Sequence, residues 1–410
     1  MTTMSARLSA MMFLQFFIWG GWFVTLGTFL SSNLGASGGQ IGMAFSTQSW
    51  GAIIAPFVIG LIADRYFNAE RILAVLHLIG AVLLFQLYRA ADFSTFYPFV
   101  LAYMMIYMPT LALVNSVAFR QMRDPALEFS RIRVWGTIGW IVAGVVISFV
   151  FAWDSQQAIS SGGLRNTFLM SAIASLALGL YSFTLPRTAP LPREPGSGGL
   201  KQMLGLDALG LLKDRSYLVF FIASILICIP LAFYYQNANP FLAEIGVTNP
   251  TAKMAIGQVS EVLFMLLLPL FIQRFGIKLA LLVGMLAWAL RYLLFAYGNN
   301  GDLAFMLFTG IALHGICYDF FFVSGQIYTD AKASERFRSS AQGLITLATY
   351  GLGMLIGFWV AGQVTDHYAS ADSHEWKSIW LFPAGFALAI FFCFSLAFNG
   401  RQSQAVQSNG

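Results

Sequence analysis

Four ionisable side chains, Arg133, Glu261, Arg291 and Asp319, lie well inside stretches of sequence that are otherwise apolar. The run MAIGQVSEVLFMLLLPLFI holds Glu261, and HGICYDFFFVSG holds Asp319 among aromatic residues. A charge facing lipid at the centre of a bilayer costs about 2.5–3.5 kcal/mol on insertion scales, so such groups are expected to face one another or a wet cavity. A carboxylate has a short stem and little reach toward the headgroups, which makes Glu261 and Asp319 the strongest indicators of function. Arg133 and Arg291 lie toward the ends of their stretches, where a long stem can snorkel. Arg291 is expected to be structural, snorkelling or paired within its bundle.

Polar neighbours at helical spacing extend three of these positions into stripes. Gln258 and Glu261 are three residues apart and share a helix face. In RVWGTIGW, Arg133, Thr137 and Trp140 fall at i, i+4 and i+7, a line of guanidinium, hydroxyl and indole. His314 and Tyr318 share a face, with Asp319 one step around. A cavity lined by these three stripes is the simplest explanation, and its groups suit a neutral polar ligand. No cluster of Lys and Arg suggests phosphate or nucleic acid. A buried acid that gains and loses an arginine partner can bind and release a proton, and Glu261 or Asp319 with Arg133 as partner would serve. His77 is expected to be a hydrogen-bonded packing residue, and Trp19, Trp22, Tyr103 and Tyr107 are weak candidates for stacking. The metalloprotease HExxH motif is absent, the four histidines are scattered, and neither an enzyme nor a cofactor or metal is expected.

The elements that must position these residues are membrane helices. Hydrophobic residues make up 58% of the 410 and charged residues 10%, with a mean hydropathy of +0.71, too little polar surface for a water-soluble chain. Twelve stretches reach the length of about 20 apolar residues that crosses the hydrocarbon layer. The first reads as retained rather than cleaved. Both termini then share a face that also carries most of the Lys and Arg, among them Arg7, Arg65, Arg71, Arg120 and Lys278, and the positive-inside rule makes it cytoplasmic. The net charge of +5 is therefore a topology signal. Cys228, Cys317 and Cys393 fall inside spans and read as small apolar fillers.

The longest loop, RTAPLPREPGSGGL followed by KQMLGLDALGLLKDR, is expected to be a tether and a short surface helix. It splits the chain into a six-helix bundle over residues 1–186, a cytoplasmic linker over 187–216 and a second six-helix bundle over 217–410, the plan of transporters with a central site. GLIADRYFNAER, with Gly60, Asp64 and Arg65, resembles the Gly-x-x-x-Asp-Arg signature of the major facilitator superfamily, which implies a conformational or gating role for these three.

FLQFFIWGGWFVTLGTFL, YMPTLALVNSVAF, RIRVWGTIGW, GLDALGLLKD, GQVSEVLFMLLLPLFIQRFGIK and HGICYDFFFVSG resemble the nucleoside:proton symporter family of that superfamily, across nearly the whole chain. PLAFYY in span 7 is similar to a branch of bacterial nucleoside transporters. The resemblance implies an all-α membrane protein of twelve transmembrane helices in two pseudo-symmetric bundles, alternating access, and proton-coupled nucleoside uptake across the bacterial cytoplasmic membrane, with a monomer expected. It implies binding roles for Arg133, Thr137, Gln258, Glu261, Tyr318 and Asp319. Trp140 stands where the family has Phe, His314 where it has Tyr, and Ala232 and Tyr235 where it has two amides; Gln236, Asn237 and Asn239 lie just beyond. A proton-coupled carrier of sugars or another small polar solute on the same fold is the alternative.

Overall fold

The structure, a computed structural model, describes residues 3–58, 67–122, 125–189, 206–334, 338–370 and 373–399. Gly60, Asp64 and Arg65 lie outside them. By contact clustering the chain divides into two units, one of Met1–Ser197 with Gly246–Ala255 and one of Gly198–Ile245 with Ile256–Gly410.

In the first unit run α1 (Thr3–Phe23), α2 (Leu26–Leu34), α3 (Gly38–Val58), α4 (Ala69–Arg89), α5 (Phe93–Gln121), α6 (Pro125–Val145), α7 (Gln156–Ser160) and α8 (Asn166–Ser182). Apolar residues surround most of these helices because lipid or protein meets every face. Their polar atoms are satisfied inside. His77 on α4 contacts Gln15 Oε1 at 2.9 Å and Ser175 Oγ at 3.1 Å, and Gln15 donates to Thr110 Oγ1 at 2.7 Å, so one buried network ties α1, α4, α5 and α8. At the loop before α7, Asp154 Oδ2 accepts from Ser148 Oγ at 2.6 Å and from the Thr251 amide at 3.0 Å, while Ser148 Oγ accepts from the Ala252 amide at 3.0 Å. These bonds satisfy the open N-terminal amides of the short helix Pro250–Met254. They join Gly246–Ala255 to the first unit although it lies far along the chain.

The second unit contains α9 (Arg215–Glu244), α10 (Ile256–Tyr297), α11 (Ala304–Ala312), α12 (His314–Tyr318), α13 (Ser324–Lys332), α14 (Arg338–Thr346), α15 (Met354–His367) and α16 (Trp376–Ala397). Asp214 caps α9 by accepting from the Tyr217 amide at 2.9 Å. The expected surface helix is a 3₁₀ turn, Leu206–Lys213, whose Ala208 packs against Ala333, Ala341 and Leu344. Cys228 and Cys317 are buried fillers, whereas Cys393 is exposed on α16.

Among the described residues, ten helical segments are long and apolar enough to cross a membrane. One of them contains α10, whose 42 residues rise about 60 Å, roughly twice the hydrocarbon thickness. Gly276, with φ 79° and ψ 166°, breaks it into two passes, a conformation open to glycine because it has no Cβ. With that division and the 21-residue α3, the described helices accommodate the twelve expected passes.

Candidate functional site

Within the first unit, α1 and α6 approach closely because glycines line the contact. A Cβ on Gly136 would fall 2.6 Å from the Phe16 ring, and one on Gly20 3.0 Å from the Trp140 backbone. This contact sets Arg133 over the Phe16 ring, its guanidinium carbon 4.1 Å from the centroid, in cation–π geometry. Trp140 meets Trp19 edge-on at 5.6 Å, and Trp19 meets Tyr107 edge-on at 5.7 Å. Tyr107 OH donates to the Gln15 carbonyl at 2.7 Å, which fixes that ring. Thr137 is half-buried one turn along α6 from Arg133. The unit thus presents a guanidinium, a hydroxyl and two indoles together. Trp19 has an indole N–H that is buried and without a hydrogen-bond partner among the described residues. Trp22 and Tyr103 are fully buried against each other, at 5.6 Å, and serve as packing.

Within the second unit, α10 turns one face outward: Val259, Leu263, Leu266 and Leu270 are 58, 54, 72 and 65% exposed, as a lipid-facing stripe requires. The opposite face lies flush on α12. A Cβ on Gly315 would fall 2.6 Å from the Ser260 backbone, and one on Gly257 would fall 3.1 Å from His314 Cβ. Ser260 Oγ donates to the Ala312 carbonyl at 2.6 Å and accepts from the Gly315 amide at 3.0 Å. Small residues and this bridging hydroxyl therefore bring Glu261 beside His314, Oε2 to Nε2 3.9 Å, with the Glu261 side chain 23% exposed. Gln258 is half-buried one turn before it.

His314 leads to Arg291 on the second pass of α10. Nδ1 of the imidazole lies 3.1 Å from an Arg291 guanidinium nitrogen, and the ring stacks on Tyr234 at 5.3 Å. The Arg291 guanidinium carbon sits 3.4 Å from the Tyr234 ring centre, with Trp288 and Phe295 at 5.5 and 5.7 Å. Arg291 is 0% exposed, so of the two expected structural roles it takes pairing within its bundle, with His314, and not snorkelling. Its Nε and Nη2 have no hydrogen-bond partner among the described residues. Sequence reasoning gave Arg291 a structural role and did not single out Tyr234; the signal available was that an arginine stood in an apolar run at all.

Asp319 begins a π-helical turn, Asp319–Val323. Such turns widen a helix locally and recur at functional sites. Its side chain is buried, and neither carboxylate oxygen has a hydrogen-bond partner among the described residues. The charge of Glu261 acts on it. The hydroxyls of Tyr318 and Tyr350 are hydrogen-bonded, and Tyr350 lies in a second π turn, Leu347–Gly353. Tyr235 is half-buried within electrostatic reach of Glu261 and Tyr318. Of the amides beyond it, Asn237 donates to Thr365 Oγ1 at 3.0 Å and so holds α9 to α15. The second unit thus gathers Tyr235, Gln258, Glu261, His314, Tyr318 and Asp319, with Tyr234, Arg291 and Tyr350 around them.

Comparisons with known proteins identify the family and the fold. A family model described as nucleoside H+ symporter matches residues 1–403. The chain is 42% identical over 411 residues to YegT of Escherichia coli (strain K12), covering 98% of this chain and 95% of that protein. It is 35% identical over 416 residues to xanthosine permease of the same organism, covering 97% of each. A crystal structure of the nucleoside transporter NupG superposes with a TM-score of 0.88 at 31% identity, covering 97% of this chain and 100% of the other. The multi-pass helical architecture is therefore that of the major facilitator fold, and the chain belongs to the nucleoside H+ symporter family.

Proposed function

We propose that this protein takes up nucleosides together with protons by alternating access, as a multi-pass protein of the bacterial cytoplasmic membrane with both termini inside, acting as a monomer. The observation that carries the proton half is Asp319. Its carboxylate, without a hydrogen-bond partner among the described residues, is costly in an apolar interior, and Glu261, part-exposed and within electrostatic reach, is a second acid. Proton uptake by either acid would lower the charge that opposes the movement of the site between compartments.

For the substrate, Gln258 suits the donor and acceptor edge of a base, while Trp140, Tyr235 and Tyr318 offer faces or hydroxyls. Arg133, Thr137, His314 and Glu261 suit ribose oxygens. All these groups fit a neutral polar ligand. The matched family and the xanthosine permease and NupG relatives support a nucleoside over a sugar as that ligand.

The test is uptake of labelled uridine into proteoliposomes with an imposed proton gradient, in competition with unlabelled nucleosides and free sugars. Competition by nucleosides alone, and loss of gradient-driven accumulation in Glu261→Gln or Asp319→Asn, is the expected result. Competition by sugars would replace the substrate, and full accumulation in both variants would remove the two carboxylates from the coupling.

A further inference from the structure

We propose that Arg291 and His314 form a relay that governs the charge of Glu261, with Arg291 as the positioning residue. The proposal rests on the reading of Glu261 as a proton carrier and adds a control on it. The argument begins with donors and acceptors. A guanidinium has only N–H donors, so the 3.1 Å contact from Arg291 requires His314 Nδ1 to accept. A neutral imidazole that accepts at Nδ1 carries its proton at Nε2. That is the nitrogen facing Glu261, 3.9 Å from Oε2. The stacked Tyr234 ring, 5.3 Å away, prevents the imidazole from swinging out of this line.

The titratable and charged groups around His314 are Glu261 and Arg291 on α10, Tyr234 and Tyr235 on α9, and Cys317, Tyr318 and Asp319 on or adjoining its own helix. With Glu261 ionised, the buried guanidinium has an opposite charge one imidazole away. With Glu261 protonated, it has lost that compensation. The proton carried by Glu261 is thereby coupled to a fixed buried cation on the second pass of the same helix pair, across the break at Gly276.

The experiment measures uridine binding by calorimetry to the purified full-length protein from about pH 5 to 9, a window that brackets histidine and perturbed carboxylates. Glu261→Gln is expected to remove the pH dependence. If it does not, the reading of Glu261 as proton carrier fails, and the relay with it. Where it does, Arg291→Gln is expected to move the wild-type midpoint to the alkaline side by about one unit. His314→Gln should move it the same way, and Arg291→Lys, which keeps a charged donor, should lie between. Arg291→Gln added to Glu261→Gln should change the pH profile no further. An unmoved midpoint in folded Arg291→Gln, or an equal shift in the Glu261→Gln background, overturns the relay while leaving the proton-carrier reading intact. Should Arg291→Gln not fold, an unmoved midpoint in His314→Gln overturns it instead.

Discussion

Replacing Asp319 by asparagine preserves the outline of the side chain and removes its charge, and two accounts of the site give opposite signs for the result. If the carboxylate had a buried partner, its loss would strand that partner and cost about 3–5 kcal/mol. The side chain is 0% exposed and neither oxygen is hydrogen-bonded among the described residues, which is the other case. A buried polar group without a partner carries a penalty of about 1–3 kcal/mol, and a neutral amide retains part of it, so Asp319→Asn should gain about 1–2 kcal/mol in stability. The same change should abolish proton-driven accumulation. Thermal and chemical unfolding of both proteins in one detergent at one pH measures the first effect, and uridine uptake in proteoliposomes measures the second. A destabilisation of the size expected for a broken ion pair would refute the reasoning, because it would mean that Asp319 is held by a charge it pairs with.

Gly315→Ala should cost about 1–3 kcal/mol and reduce uptake, because its Cβ would lie 2.6 Å from the Ser260 backbone and separate Glu261 from His314. Gly385→Ala, whose Cβ meets nothing within 4 Å, is the control, and equal melting temperatures for the two variants would count against the close packing of α10 on α12. Asp154→Ala should cost about 2–3 kcal/mol by stranding Ser148 and the Thr251 amide, and amide exchange should rise over 246–255 more than elsewhere. At Asp214, burial opposes ionisation, but the Tyr217 amide and the Lys332 ammonium outweigh it and hold the carboxyl below its ordinary range. Its contribution is therefore present above about pH 4 and is lost as pH falls through the lowered value. With the side chain 34% exposed, the Lys332 pair is worth no more than about 1 kcal/mol, so the stability gap between the protein and Asp214→Asn should be small at neutral pH and close on acidification.

How much of the site could be read without coordinates varies from residue to residue. Glu261 and Asp319 were legible because a short acid in an apolar run has few ways to avoid lipid, and the structure buries one and half-buries the other. Gln258 with Glu261 and His314 with Tyr318 were legible as pairs through helical spacing. For Arg291 snorkelling and pairing within the bundle stayed open for a definite reason: hydropathy gives depth along a helix but not the side it faces, and an arginine near a span end can face water or protein equally well. Its contact with His314 crosses from one helix to another, and its stack on Tyr234 reaches a third. No periodicity within a single helix encodes either. The π turns that place Asp319 and Tyr350 were equally invisible, since the sequences DFFFV and LATYGLG suit an ordinary helix. The attachment of Gly246–Ala255 to the first unit depends on Asp154, almost a hundred positions earlier, and on amides whose need for acceptors appears only once the short helix has formed.

By itself the sequence determined that the chain lives in a bilayer, about where it crosses, and which polar groups had to be hidden, because transfer of apolar and charged groups between water and lipid depends on composition and local order alone. Only the tertiary structure decided which hidden groups meet: that Glu261 faces His314, that His314 faces Arg291, and that Asp319 has no hydrogen-bond partner among the described residues. Those outcomes depend on how closely helices approach, and Gly257, Ser260 and Gly315 set that distance through steric contacts between segments more than 50 residues apart along the chain.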